Sequence, residues 1–180
     1  MAADAITFHV PASAANLGSG YGVLGLALDM SLGITVEPRS DADIVVERRD
    51  DPSAHLDDPR HDPVLRGFRR AAELLGVPLR RGATIVVEGT IPRGTGMGTI
   101  SAGFAAGFAA AARFGKKTCP VADAVDALVP MGADPAHVAA ALAGGLCATS
   151  QLSGPGDAEL RQRVLPLEIH ADWHYVIALP

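Results

Sequence analysis

Between Gly89 and Gly103 the chain reads GTIPRGTGMGTISAG. Gly94, Gly96 and Gly98 alternate with Thr95 and Met97 and lead directly into Thr99, Ile100 and Ser101. Glycine accepts left-handed backbone and leaves its N–H open to a ligand. A helix starting behind such a loop adds unpaired N–H donors and the positive end of its dipole. Together these are the parts of a phosphate cradle. The Lys-Ser/Thr pair that completes a P-loop is absent. Spacing alone leaves two readings open, an anion-binding loop and a flexible turn ahead of a helix. A second stretch, VPASAANLGSGYGVLGLALD from Val10 to Asp29, offers small residues and one Asn that could line a pocket.

Other chemistry-bearing residues are weaker. His170 and His174 are four apart, which suits a metal on a helix. They flank Trp173 beside a stretch that reads as strand, where they would stand about 13 Å apart, so no metal site is expected. Ser101 sits in a partial G-x-S-x-G pattern that lacks its first glycine and its preceding strand. It reads as a first-turn helix residue that packs or caps. Cys119 and Cys147 have no metal-ligand spacing and read as two thiols, a disulfide between them being left open.

The elements that would hold these residues follow from periodicity and turn chemistry. Ile6–Val10 alternates as a strand, and Pro11–Gly22 reads as a loop. Leu24–Asp29 and Leu32–Glu37 are two strands or one bent ribbon, and Ile44–Glu47 is a short strand. Asp50–Arg60 is a polar surface loop. Asp62 then caps a helix whose first residue is Pro63 and which ends at Gly76. Val64, Phe68, Ala71, Ala72 and Leu75 form its apolar face. Ala83–Glu88 is a strand, Thr90–Gly98 the glycine loop, and Thr99 to Phe114 a helix apolar nearly all round and hence buried. Within it Gly103 and Gly107 would let another backbone approach. Val121–Val129 and Pro135–Ala143 read as helices, Cys147–Leu152 as a strand and Ser153–Asp157 as a turn. Leu165–Ile169 and Tyr175–Leu179 read as closing strands. The pattern predicts one α+β domain over residues 1–180, without repeats or linkers.

Composition bounds the function. The 180 residues are 48% apolar and only 4% aromatic, enough for a core of Ala, Val and Leu. A net charge of −5 argues against a nucleic-acid partner. The densest basic runs are Arg66–Arg70 and Arg80–Arg81, the first reading as a solvated helix face. The start, MAADAITFHV, has no signal-peptide pattern, and the apolar run Ala102–Ala112 is too short to span a bilayer. These features predict a cytoplasmic protein without membrane contact.

In this order the two glycine-rich stretches resemble the homoserine kinases of the GHMP kinase superfamily. Pro11, Ala12, Ser13, Ala15, Asn16, Leu17, Gly18, Gly20, Leu24, Gly25, Ala27 and Leu28 follow P-A-T/S-x-A-N-L-G-P-G-F-D-x-L-G-x-A-L. Pro92 with Gly96-x-Gly98 follows P-x-x-x-G-L-G-S-S-A-A, and ADPAHVAAALAGGL resembles H-x-D-N-V-A-P-A-L-x-G-G. The resemblance implies the GHMP-kinase N-terminal domain, a mixed sheet packed against a layer of helices. It implies ATP and Mg²⁺ as cosubstrate and cofactor. It places Gly94, Thr95, Gly96, Met97, Gly98, Thr99 and Ser101 around the phosphates. It places Ser13, Asn16, Gly18, Gly20, Tyr21 and His137 at the acceptor alcohol.

Three departures remove polar groups from that pattern. Gly22 stands where the family has aspartate, Ile100 where it has its second serine, and Gly132 near the family's acidic Mg²⁺ ligand. Asp126 and Asp134 are the nearest acids, and neither is in register. No metal ligands are therefore assigned. The expectation is a homoserine-kinase-like phosphotransferase by descent, acting on a small alcohol, with impaired or redirected chemistry. The alternative is a non-catalytic or non-kinase protein that holds a small molecule or anion in the same pocket. The family's C-terminal domain has no counterpart in the sequence, which predicts a homodimer or a separately encoded C-terminal half as partner.

Overall fold

The computed structural model describes residues 5–49, 59–89, 91–153 and 160–178. Its centre is a long antiparallel hairpin of β1 (Ile6–Leu17) and β2 (Gly20–Pro38). Pro11–Gly22, expected as a loop, is strand for most of its length, and only Gly18 and Ser19 turn. Backbone pairing explains the difference. Ser13, Ala14 and Ala15 sit opposite Ala27, Leu26 and Gly25, and small side chains do not hinder a ladder. A register shift between Pro11 and Ser13 absorbs the proline, which has no N–H to give. β2 is the single ribbon of the two alternatives.

β4 (Ala83–Glu88) pairs antiparallel with Gly33–Pro38 of β2. β3 (Ile44–Arg48) lies parallel to β4. β5 (Leu146–Leu152) pairs with Leu24–Leu26, and β6 (Arg161–Leu167) closes the other edge. The order is β3-β4-β2-β5-β6, with β1 paired to β2. The mixed α+β sheet agrees with expectation. The closing strand expected over Tyr175–Leu179 does not form: Tyr175 to Ala178 have no ladder, and Leu179 lies outside the described residues. The chain instead turns after β6, where Trp173 N–H donates to His170 O at 3.0 Å. His170 and His174 therefore flank a turn instead of a strand, and among the described residues no three acidic, histidine or cysteine side chains gather as a metal site. The polar loop expected at Asp50–Arg60 and the turn at Ser153–Asp157 fall mostly outside the described residues. So does Thr90 of the glycine loop.

Among the described residues four α-helices accompany the sheet. α1 (Pro63–Leu75) begins as its sequence dictates: Asp62 Oδ1 accepts from Val64 N–H at 2.7 Å, and Gly76 ends it at φ 60°. α2 (Thr99–Phe114) is buried continuously from Ser101 to Ala111. α3 (Val121–Leu128) and α4 (Pro135–Ala143) follow, joined by a 3₁₀ turn at Val129–Met131. α1 and α2 touch backbone to backbone at Gly107, where a Cβ would lie 1.9 Å from the Val64 carbonyl oxygen. That contact places α2, and so the glycine loop before it, against α1. The core lies between sheet and helices, with Ile34, Val36, Ile85, Phe68, Phe104, Val125, Leu128 and Val138 almost wholly buried. Arg66–Arg70 is not a uniformly solvated face. Arg66 Nη2 donates to Met131 O at 3.2 Å, and Arg70 Nε to Ala127 O at 3.4 Å, while Arg69 is exposed. Their long stems reach from α1 to backbone carbonyls of the segment 127–131. Among the described residues no helix is long and apolar enough to cross a membrane.

Candidate functional site

The glycine loop is built by two anchors and three turns. Ile91 and Met97 are buried in the core and fix the loop at both ends. Between and after them Gly94, Gly96 and Gly98 take φ of 73°, 76° and 68°, conformations costly for any other residue. The two threonine hydroxyls brace the loop from inside: Thr95 Oγ1 donates to Pro92 O at 2.8 Å and Thr99 Oγ1 to the same oxygen at 3.3 Å. Met97 thus contributes backbone to the loop and side chain to the core. Gly98 is the N-cap of α2, and no side chain caps this helix, whereas Asp62 and Asp134 cap α1 and α4. The first N–H groups of α2 therefore receive no side-chain cap.

Three of the expected residues converge on that point. Ser13 N–H donates to Met97 O at 3.2 Å, and Ser13 Oγ is 2.9 Å from His137 Nδ1. Ser101 Oγ accepts from Asp134 N–H at 3.1 Å. Asp134 Oδ1 in turn accepts from His137 N–H at 3.0 Å, as the cap of α4. Burial pushes the His137 imidazole below its ordinary range, and the Asp134 carboxylate and Ser13 pull weakly the other way. The net result favours the neutral ring.

The remaining acceptor-side residues lie elsewhere. Asn16, Gly18 and Tyr21 sit on the exposed tip of the β1–β2 hairpin, and Gly20 is tucked beneath it against Leu24. Tyr21 is 79% exposed. Asn16 adopts φ 59°, and its Oδ1 accepts from Gly22 N–H at 2.7 Å, which folds the tip on itself. At about 3.3 Å per strand residue the tip, from Asn16 to Gly18, stands roughly 10–17 Å beyond Ser13.

A cavity of about 410 Å³ opens beside the loop, walled by Gly94, Thr99 and Ile100 on one side and by Leu32, Val87, Ile91 and Phe104 on the other. Arg48, His61, Arg66 and Arg93 supply its basic groups. Arg48 is held by Asp62 Oδ2 at 2.9 Å, and the Arg66 guanidinium stacks 5.1 Å from the centre of the Phe104 ring. Sequence reasoning missed these cations. The available signal was Asp62: a buried capping carboxylate has a second oxygen that requires a donor.

The acids nearest the degenerate metal position were also placed by the fold. Asp126 Oδ1 accepts from Gln162 N–H at 2.8 Å, far from the loop in the bonding network. Asp134 is beside it but engaged as a helix cap. Among the described residues the loop thus presents left-handed glycine backbone ahead of an uncapped helix, beside an apolar cavity edged by arginines. Among the described residues no three acidic, histidine or cysteine side chains gather there, and the carboxylate beside Ser101, Asp134, is engaged as a helix cap.

The description "GHMP kinases N terminal domain" matches residues 63–158. A homoserine kinase from Streptomyces coelicolor is 34% identical over 155 residues, covering 84% of this chain and 50% of the relative. A homoserine kinase from Mycolicibacterium vanbaalenii is 29% identical over 178 residues, covering 97% of this chain and 55% of the relative. The chain therefore spans about half the length of the curated relatives it matches. Among solved structures, homoserine kinase from Cytophaga hutchinsonii shares the fold with a TM-score of 0.73 at 24% identity, over 94% of this chain and 54% of that one. Mevalonate kinase from Methanococcus jannaschii shares it with a TM-score of 0.66 at 14% identity, over 81% and 53%.

Proposed function

The chain belongs to the GHMP kinase family through that family's N-terminal domain, and on that footing we propose that it binds a nucleoside phosphate as a homoserine-kinase-type domain with impaired phosphoryl transfer. The observation that carries the binding half is the glycine loop. Gly94, Gly96 and Gly98 hold left-handed backbone ahead of an uncapped α2, and Gly94, Thr99 and Ile100 line the 410 Å³ cavity. In this reading the loop and the first N–H groups of α2 take the phosphates. The apolar wall of Leu32, Val87, Ile91 and Phe104 takes the base or sugar. Arg48 and Arg66 edge that wall with fixed positive charge.

The impaired half rests on missing oxygens. Phosphoryl transfer relies on positioning and charge neutralisation more than on covalent chemistry. Ile100 is 62% exposed on the first turn of α2 and presents a hydrocarbon where a hydroxyl would face phosphate. Gly22 and Gly132 bring no side chain to their positions. Mg²⁺ would neutralise phosphate charge with the help of one or two carboxylates; Asp134, the carboxylate beside Ser101, is engaged as the cap of α4, and no step is assigned through the metal. Asn16 and Tyr21 on the hairpin tip are the proposed acceptor-side contacts, which require the tip to approach the loop.

A non-kinase binding role is favoured over full activity by the same three positions. Calorimetric titration of ATP, with and without Mg²⁺ and homoserine, separates the readings. The proposal expects ATP to bind with an affinity that Mg²⁺ changes little, and homoserine to be phosphorylated far below the ~1–100 per second of ordinary kinases. Turnover in that range, on this chain, contradicts the impairment.

A further inference from the structure

Ser13, Gly98 and His137 come from β1, the start of α2 and α4, and they meet at one point. An ideal Cβ on Gly98 would lie 2.5 Å from His137 Nδ1 and 2.6 Å from Ser13 Oγ. The Gly98 backbone is therefore pressed directly on the Ser13–His137 hydrogen bond of 2.9 Å. Ser13 is fully buried and cannot meet a ligand with its hydroxyl in this arrangement. Its backbone lies opposite Ala27 in the β1–β2 ladder, just past the register shift between Pro11 and Ser13, and its N–H donates to Met97 O at 3.2 Å. The connection closes on the far side. Ser101 Oγ accepts from Asp134 N–H at 3.1 Å, and Asp134 Oδ1 accepts from His137 N–H at 3.0 Å. The result is a ring of contacts through Met97, Gly98, Ser101, Asp134, His137 and Ser13.

We propose that Ser13 and His137 are positioning residues of the glycine loop, a clasp that fixes Met97 and Gly98 and so aims the first N–H groups of α2 at a bound anion. The role rests on the reading of the loop as an anion cradle. It reassigns the two residues from contact with an acceptor alcohol to control of the phosphate end. Gly98 caps α2 without a side-chain hydrogen bond, so the clasp supplies the side-chain contact at the cap itself, while Thr99 and Ser101 brace the turn after it. The Ser13 hydroxyl and His137 Nδ1 share one hydrogen bond at 2.9 Å, and burial of the ring favours its neutral form. A cradle must hold its donors in place before the anion arrives, because ordering them on binding subtracts from affinity.

The test uses the full chain and two readouts. Amide hydrogen exchange over residues 96–101 is measured without ligand in wild type, S13A, H137F and H137N. Inorganic pyrophosphate is then titrated into each. Asparagine can place its amide oxygen close to the position of Nδ1, so H137N is the conservative rescue. Losing the clasp removes about one hydrogen bond's worth of order, so exchange over 96–101 and pyrophosphate dissociation should both rise about tenfold in S13A and H137F. H137N should restore both, and exchange in α1 and in Ala105–Ala111 should not move. Exchange over the loop that is unchanged in S13A overturns the clasp. So does a general acceleration across all helices, which would mark ordinary loss of structure, or equal pyrophosphate affinity in S13A and wild type. Wild type that fails to bind pyrophosphate sinks the cradle reading instead, and the ligand-free exchange still decides whether the clasp fixes the loop.

Discussion

Replacing Gly98 by alanine should damage the fold much more than replacing Gly96, although both glycines are left-handed and two residues apart. Each substitution forces an L side chain into φ near 70°, which costs roughly 1–2 kcal/mol. At Gly96 nothing lies within 4 Å of the new methyl, so strain is the whole cost. At Gly98 the methyl would overlap His137 Nδ1, His137 Cγ and Ser13 Oγ at 2.5, 3.0 and 2.6 Å. Overpacking of that kind adds roughly 1–3 kcal/mol. Gly98→Ala should therefore lose about 2–5 kcal/mol against about 1–2 for Gly96→Ala. For a domain of this size that places the Gly98→Ala melting point roughly 4–20 °C below wild type. Urea unfolding of both variants measures the difference. Adding Ser13→Ala to Gly98→Ala removes one of the overlapping atoms, so the double variant should lose less than the sum of the singles. Equal midpoints for the two glycine variants, or strict additivity with Ser13→Ala, would refute the packing of Gly98 on the Ser13–His137 pair.

Asp62→Ala removes the cap of α1 and strands the half-buried Arg48. It should cost about 3 kcal/mol, read as a lower urea midpoint. Gly107→Ala drives a methyl into the Val64 carbonyl. Separation of α1 from α2 should destabilise the chain by about 3 kcal/mol or leave it insoluble, as checked by thermal unfolding of the soluble fraction. His137 titrates below its ordinary 6.5 because the fold buries it, so the unfolded chain binds the proton more tightly. Its stability contribution is complete above pH 6.5 and is lost as pH falls through the lower folded value. Urea midpoints between pH 7.5 and 5 should therefore fall more in wild type than in His137→Asn. Ile100→Ser changes an exposed residue, so stability should shift by less than about 0.5 kcal/mol, while the difference in ATP affinity with and without Mg²⁺ should widen in calorimetry.

Much of this architecture was legible where local chemistry and tertiary packing agree. Asp62, Pro63 and Gly76 bound α1 at the residues found, because a cap, an N1 proline and a left-handed C-cap each act within one turn. α2 and α4 were equally readable, and Gly107 does meet a neighbouring backbone. Pro11–Gly22 misled because its small residues carry no strand preference of their own. They are held extended by β2, a partner that acts from a distance along the chain. The Tyr175 segment misled in the opposite direction, with strand-like side chains but no ladder to join. At the site, glycine spacing located the loop, yet Arg48, His61 and Arg66 were invisible. They reach the cavity from a strand, a 3₁₀ turn and a helix, so only the packing of α1 beside β3 and α2 brings them together.

The cradle itself is tested most directly by titrating ADP into the isotopically labelled chain without Mg²⁺ and following backbone amides. The account predicts saturable shifts concentrated at Gly94, Gly96 and Gly98 to Ser101, with a second group at Val87, Ile91 and Phe104 along the cavity wall. Inorganic pyrophosphate should reproduce the first group and not the second. Millimolar ADP that leaves Gly96–Ser101 unmoved, or that shifts only residues remote from the loop, would contradict it.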